Sequence, residues 1–179
     1  DWQSIVNFYN VPFVHRCKVF FMTVFENDNL ITPMSDDGGG GSSSVTLNIE
    51  TINQRDYGDE FCLATCYLAI ARYYYPNENL TMARLQKETI VANGGWVNRW
   101  GDYVTRGTEQ NFNVSAIKTA LAAGKPVIIS GASPRGDHYV VAYGYTGNNI
   151  KIMDPWNGVK AVLGNTSLIS WSKYRICTK

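Results

Sequence analysis

The chain is 179 residues long, 45% hydrophobic and 13% aromatic, with 16 Lys+Arg against 15 Asp+Glu. That length is room for one main domain, and a charged fraction of 17% with a net charge of +1 excludes a composition-driven nucleic-acid binder, an acidic tail and a disordered chain. No apolar run approaches the ~18 residues of a membrane span, so no membrane span is expected. Asp1-Trp2-Gln3 opens the chain with neither a basic region nor an apolar signal core, which leaves a trimmed mature chain or a cytosolic one.

In chain order, residues 1 to 37 read as a short arm with two basic and five acidic residues. Within it, Lys18-Val19-Phe20-Phe21-Met22-Thr23-Val24-Phe25 is β-branched and aromatic, Glu26-Asn27-Asp28-Asn29 supplies turn residues, and Leu30-Ile31-Thr32 resumes an apolar stretch that Pro33 ends. This is a hairpin pattern too small to fold alone, so the arm is expected to dock on the main domain or on a second chain. Residues 38 to 44, Gly38-Gly39-Gly40-Gly41-Ser42-Ser43-Ser44, form a flexible linker, either engineered or natural.

The main domain, residues 45 to 179, begins with a strand over Val45 to Ile49 and a polar loop from Gln54 to Glu60. Phe61 to Tyr75 lacks Gly and Pro and predicts a helix that Pro76-Asn77 ends. A shorter helix is expected from Thr81 to about Thr89, then a loop through Gly94-Gly95 and Trp96 to Trp100, with Trp96, Trp100 and Trp156 as core or wall residues. A third helix runs from Ala116 to Ala123, capped by Asn113 or Ser115 and closed by Gly124. From there the apolar pattern shortens to strands at Val127–Ile129, Tyr139–Tyr143, Ile150–Met153, Val159–Val162 and Trp171–Cys177, with a loop over Gly131 to Asp137 and a hairpin turn at Thr146 to Asn149. Helices followed by an antiparallel sheet make the class α+β.

Four cysteines, Cys17, Cys62, Cys66 and Cys177, are too few for a disulfide scaffold and lack zinc spacing, although Cys17 and Cys177 remain a conceivable pair. Cys62 falls at the amino end of the first helix, where unpaired N–H groups and the helix dipole favour negative charge, the setting of a thiolate nucleophile. It and Cys66, one turn on, read equally well as two small core residues. A catalytic thiol needs a base, and the chain has two histidines. His15 in the arm has no partner in sequence, whereas His138 opens a strand whose hairpin partner ends at Asp154, so a carboxylate could orient the imidazole. Asp154 before Pro155 is equally a turn residue. Gln54, eight residues before Cys62, is an amide donor suited to an oxyanion, or simply an exposed glutamine.

Taken together, Gln54 and Cys62, the helix ending Arg72-Tyr73-Tyr74-Tyr75, Ala120 to Ile128, Asp137-His138-Tyr139-Val140-Val141-Ala142-Tyr143-Gly144-Tyr145 and Asp154-Pro155-Trp156 resemble the papain-like cysteine peptidases of the bacteriocin-leader (double-glycine) type over about residues 45 to 179. The resemblance implies a papain-like fold, with a helical half carrying the nucleophile packed against an antiparallel β-sheet half. It implies Cys62 as nucleophile, His138 as base, Asp154 as orienter and Gln54 as oxyanion donor, a peptide or protein substrate, and no cofactor or metal. It does not fix the biological setting: the compartment stays open, with a bacterial protein secreted or delivered outside the producing cell as the favoured expectation. Members usually follow the nucleophile with Gly-Pro, where this chain has Leu63-Ala64. Two other readings therefore stand beside peptidase: an acyltransferase using the same thioester, and a binding module that has lost activity. The arm then reads as a pro-segment, a tethered inhibitor or a tethered substrate. If it inhibits, removing residues 1 to 44 raises turnover of a peptide substrate; insoluble protein on removal would instead make the arm part of the fold.

Overall fold

The structure, a computed structural model, describes residues 43–134, 136–164 and 169–179. The arm, with His15 and Cys17, and residues 38–42 of the linker lie outside the described residues. The elements in order are strand β1 (Ser44–Thr46), helix α1 (Cys62–Tyr74), helix α2 (Met82–Lys87), strands β2 (Thr105–Arg106) and β3 (Gln110–Asn111), and helix α3 (Val114–Ala122). Strands β4 (Val127–Ser133), β5 (Gly136–Thr146), β6 (Asn149–Asp154), β7 (Val159–Val162) and β8 (Ser170–Thr178) follow. Helices precede the main strands and every strand pairing described is antiparallel, which is an α+β architecture.

The sheet runs β2-β8-β4-β5-β6-β7, with β1 pairing β5 and β3 pairing β8. Strand β4 is central, between β5 and β8, and its Val127, Ile128 and Ile129 are buried. It is an apolar run without alternation because both faces of the sheet are covered there. Helix α1 packs on β5, while α3 packs on β1, β4, β5 and β8. At the far side, all four residues of β7 are exposed.

Helix α1 is held mainly by burial. Eight consecutive residues, Ala64 to Ala71, are buried, so it is apolar nearly all round, as expected for a helix enclosed by its neighbours. Its carboxyl end is tied down by tyrosines: the hydroxyl of Tyr74 donates to the Cys177 carbonyl at 2.8 Å and that of Tyr73 to the Gly124 carbonyl at 3.1 Å. Arg72 reaches the other way, donating to the Leu80 carbonyl at 2.7 Å and pairing with Glu50 at 2.8 Å. Thr81 caps α2 by accepting from the Arg84 N–H, and Asn113 caps α3 by accepting from the Ala116 N–H.

Several expectations need correction. Of the two caps expected for α3, Asn113 is the one used, so the helix starts two residues earlier than expected, at Val114. Gln54 to Asp56 form a 3-10 turn within the expected loop, closed by the Asn53 side chain accepting from the Arg55 N–H. The expected loop over Gly131 to Asp137 is largely strand: Gly131, Ala132 and Ser133 pair with β5 on one side, and pairing with β8 holds Gly131 and Ala132 on the other. Small residues there look like a loop in sequence, yet ladder bonds on both sides keep the backbone extended. Strands β2 and β3 are two-residue pairings onto β8 with no periodicity to announce them. Trp156 is buried and Trp100 packs against the core, but Trp96 is 61% exposed. Cys177 is buried with a free thiol, and burial pushes that thiol up to about 12.

Since Leu68 is fully buried at the centre of α1, Leu68→Ala is expected to cost about 2–5 kcal/mol in urea unfolding. A loss below 1 kcal/mol would mean that α1 is not the keystone of the core.

Candidate active site

Buried polar groups are costly unless satisfied, so their distribution locates special chemistry. Among the described residues four polar or charged side chains are buried: Gln54, Thr65, His138 and Asp154. Three of these are the residues singled out beside Cys62, and the fourth lies one turn along the same helix.

Two hairpin strands bring the imidazole and carboxylate together. His138 is the third residue of β5 and Asp154 the last of β6, and the β5–β6 register aligns Val141 with Met153. The Nε2–H of His138 donates to Oδ1 of Asp154 at 2.9 Å. The same Oδ1 accepts the Trp156 backbone N–H at 2.9 Å, the two-residue reach of an aspartate turn before proline. Asp154 is therefore both the turn residue and the partner of the histidine.

Cys62 is the first residue of α1 and partly exposed. N–H groups of a first helical turn lack intrahelical acceptors and point at whatever lies beyond the helix end. Cys62 and Asp154 are both interaction partners of the His138 imidazole that favour its charged form. Burial works against a charged imidazole, but the hydrogen bonds and charges of Asp154 and Cys62 outweigh it and raise His138 from 6.5 to about 9. Cys66 differs sharply. It is fully buried, and burial, with Cys62 and Asp154 nearby, pushes its thiol well above the ordinary range. Such a thiol stays protonated and packs as a small apolar residue.

Gln54 is 1% exposed, not the solvent-facing loop residue that its polar neighbours suggest. Its backbone N–H donates to the Pro155 carbonyl at 2.7 Å, which ties the 3-10 turn to the Asp154 segment. Its side-chain Nε2 donates to the Asp59 carbonyl at 2.6 Å, while Oε1 is buried without a hydrogen-bond partner. The start of α1 is braced from another side by Gly95. With φ +78 it adopts a conformation suited to glycine, and a Cβ there would lie 2.6 Å from the Cα of Phe61.

Sequence reasoning missed Trp171, whose ring centroid lies 6.3 Å from that of His138. With Gly131 read as loop, nothing in the sequence marked the bulge; once Gly131 is placed in β4, an isolated glycine within a strand is the mark of a bulge or a close approach. Among the described residues no group of three or more His, Cys, Asp and Glu side chains could hold a metal ion, and no helix is long and apolar enough to cross a membrane.

A thiol at a helix start facing a histidine–carboxylate pair on an antiparallel sheet is the arrangement of the papain-like fold. Residues 46–175 match the Peptidase_C39 like family, and the chain belongs to that family. Among solved structures, a crystal structure of a candidate C39-like peptidase from Bacillus anthracis is similar, with 17% identity, 76% of this chain and 98% of that one covered, and a TM-score of 0.49. No curated protein matches the chain. Membership of the family suggests cysteine peptidase activity.

The raised value of His138 has a consequence for stability. A group whose value rises on folding stabilises fully below its unfolded value, here near 6.5, and that contribution disappears as pH climbs through about 9. Between those values the parent is expected to lose more stability than Asp154→Asn, followed as the urea midpoint against pH. Parallel curves for the two proteins would contradict the coupling of His138 to Asp154.

Proposed function

We propose that this protein is a cysteine peptidase in which Cys62, His138 and Asp154 form the catalytic set and Gln54 helps to hold the oxyanion. The observation that carries the reading is the buried 2.9 Å hydrogen bond between His138 and Asp154, with Cys62, at the start of α1, acting on the same ring. With Nε2 engaged by the carboxylate, Nδ1 is the nitrogen available to the thiol. The carboxylate fixes that tautomer and offsets the charge of the imidazolium.

In this mechanism the Cys62 proton passes to His138 and the thiolate attacks the peptide carbonyl carbon. The tetrahedral oxyanion accepts hydrogen bonds from the Cys62 backbone N–H and from the Gln54 amide, one N–H of which is left after the bond to Asp59. Collapse breaks the C–N bond, and the imidazolium gives its proton to the leaving amine. Water, deprotonated by His138, then attacks the thioester, releasing the acid and restoring the thiol. Peptide or protein is the substrate class. Residues 1–37 are read as a regulatory arm, 38–44 as a linker and 45–179 as the peptidase domain.

Brief iodoacetamide treatment followed by intact-mass analysis tests the site. The parent is expected to gain a single label quickly, Cys62→Ala none, and His138→Ala a label at the much slower rate of an ordinary thiol. On a cleavable peptide, Cys62→Ala abolishes turnover with the fold retained, while Asp154→Asn lowers kcat by roughly 10²–10⁴. Equal labelling of parent and His138→Ala, or undiminished cleavage by Cys62→Ala, would sink the proposal.

A further inference from the structure

The histidine has a third neighbour that arrives through an irregularity in the sheet. In the β4–β8 ladder Ser130 faces Lys173, but the next residue, Gly131, faces Trp171, so Ser172 is the extra residue of a bulge. On the β3 side the Ser172 carbonyl accepts the Phe112 N–H at 2.9 Å, continuing the register of Gln110 with Tyr174 and Asn111 with Lys173, so the irregularity is toward β4 alone. On its other side Gly131 faces His138. Trp171, Gly131 and His138 therefore form one cross-strand row on one face of the sheet. With regular pairing Ser172 would occupy that row and Trp171 would face the other way, because a one-residue slip exchanges the faces.

The middle member of the row has no side chain, and none would fit. A Cβ on Gly131 would lie 2.5 Å from the Ser170 carbonyl oxygen and 3.0 Å from a methyl of Ile169. The Ser170 backbone and Ile169 close over this glycine, and the Trp171 ring lies beside the imidazole, at 6.3 Å between centroids and 44° between planes. The indole is itself fixed, since its Nε1–H donates to the Gly164 carbonyl at 3.1 Å. Trp171 thus stands beside His138, whose Nε2 is held by Asp154.

We propose that Trp171 is a positioning residue: re-aimed by the Ser172 bulge, it holds the His138 ring in the orientation that lets one nitrogen meet Asp154 and the other Cys62. This rests on the peptidase reading above. It assigns a role to the bulge, a feature that recurs next to active sites where a side chain must be redirected. An aromatic wall also keeps water from competing for the two hydrogen bonds, which strengthens them.

The test is the pH profile of Cys62 labelling by iodoacetamide in parent, Trp171→Leu, Trp171→Phe and His138→Ala, with thermal melting of each. Trp171→Leu is expected to label about tenfold more slowly at pH 7, part of the 10²–10⁴ available to a well-placed base. Its profile is expected to move toward that of His138→Ala, while Trp171→Phe, which keeps a ring, stays near the parent. A merely structural tryptophan would lower the melting temperature and leave the profile unmoved. Parent-like rate and profile in Trp171→Leu, slowing without a change in profile, or loss of the fold in both tryptophan variants would each overturn the proposal. If parent and His138→Ala label alike, the peptidase reading itself fails; if they differ while Trp171→Leu matches the parent, that reading stands and this one falls.

Discussion

The registration of β5 against its neighbours is the constraint on which the site depends. Toward β6 it brings His138 within 2.9 Å of Asp154, and toward β4 it sets His138 opposite Gly131. Ladder hydrogen bonds enforce both alignments, and slippage is opposed by the apolar residues Val140, Val141 and Ala142, all fully buried. The chemistry is therefore placed by backbone pairing and core packing, while the polar contacts themselves are few and short.

Helix α1 supplies the complementary half. Its buried residues would fit any enclosed helix, but burial is graded along it: Cys62 is partly exposed and Cys66 is completely enclosed. Two cysteines one turn apart thus have different chemistry, for a reason that is wholly positional. The first sits at the helix start, where it meets the imidazole; the second is surrounded by apolar atoms that disfavour its charged form.

Much of this architecture was legible in the sequence because periodicity and punctuation agreed. Pro76 and the absence of Gly or Pro before it bounded α1 to within a residue at each end, and Gly147 marked the turn between β5 and β6. What escaped were features created by long-range pairing. The small residues Gly131 to Ser133 have little strand character alone, and β2 and β3 exist through contact with β8. Gln54 shows the same limit: its polar neighbours are exposed, yet the bond from its N–H to the Pro155 carbonyl, about a hundred residues away in the chain, draws it inside. The tryptophans divide likewise, since a tryptophan after two glycines carries no local mark of whether its ring faces solvent.

The exposed strand β7 has a consequence for association between molecules. It closes one end of the main strand order, and Val159 and Val162 are 42% and 56% exposed, a pattern that invites an added strand. Between them lies Lys160, whose ammonium rests 5.1 Å from the centre of the Tyr143 ring. That contact draws the ammonium inward over the face of the sheet, across β6 toward β5, so among the described residues the outer edge of β7 keeps its two exposed valines without a charge standing between them.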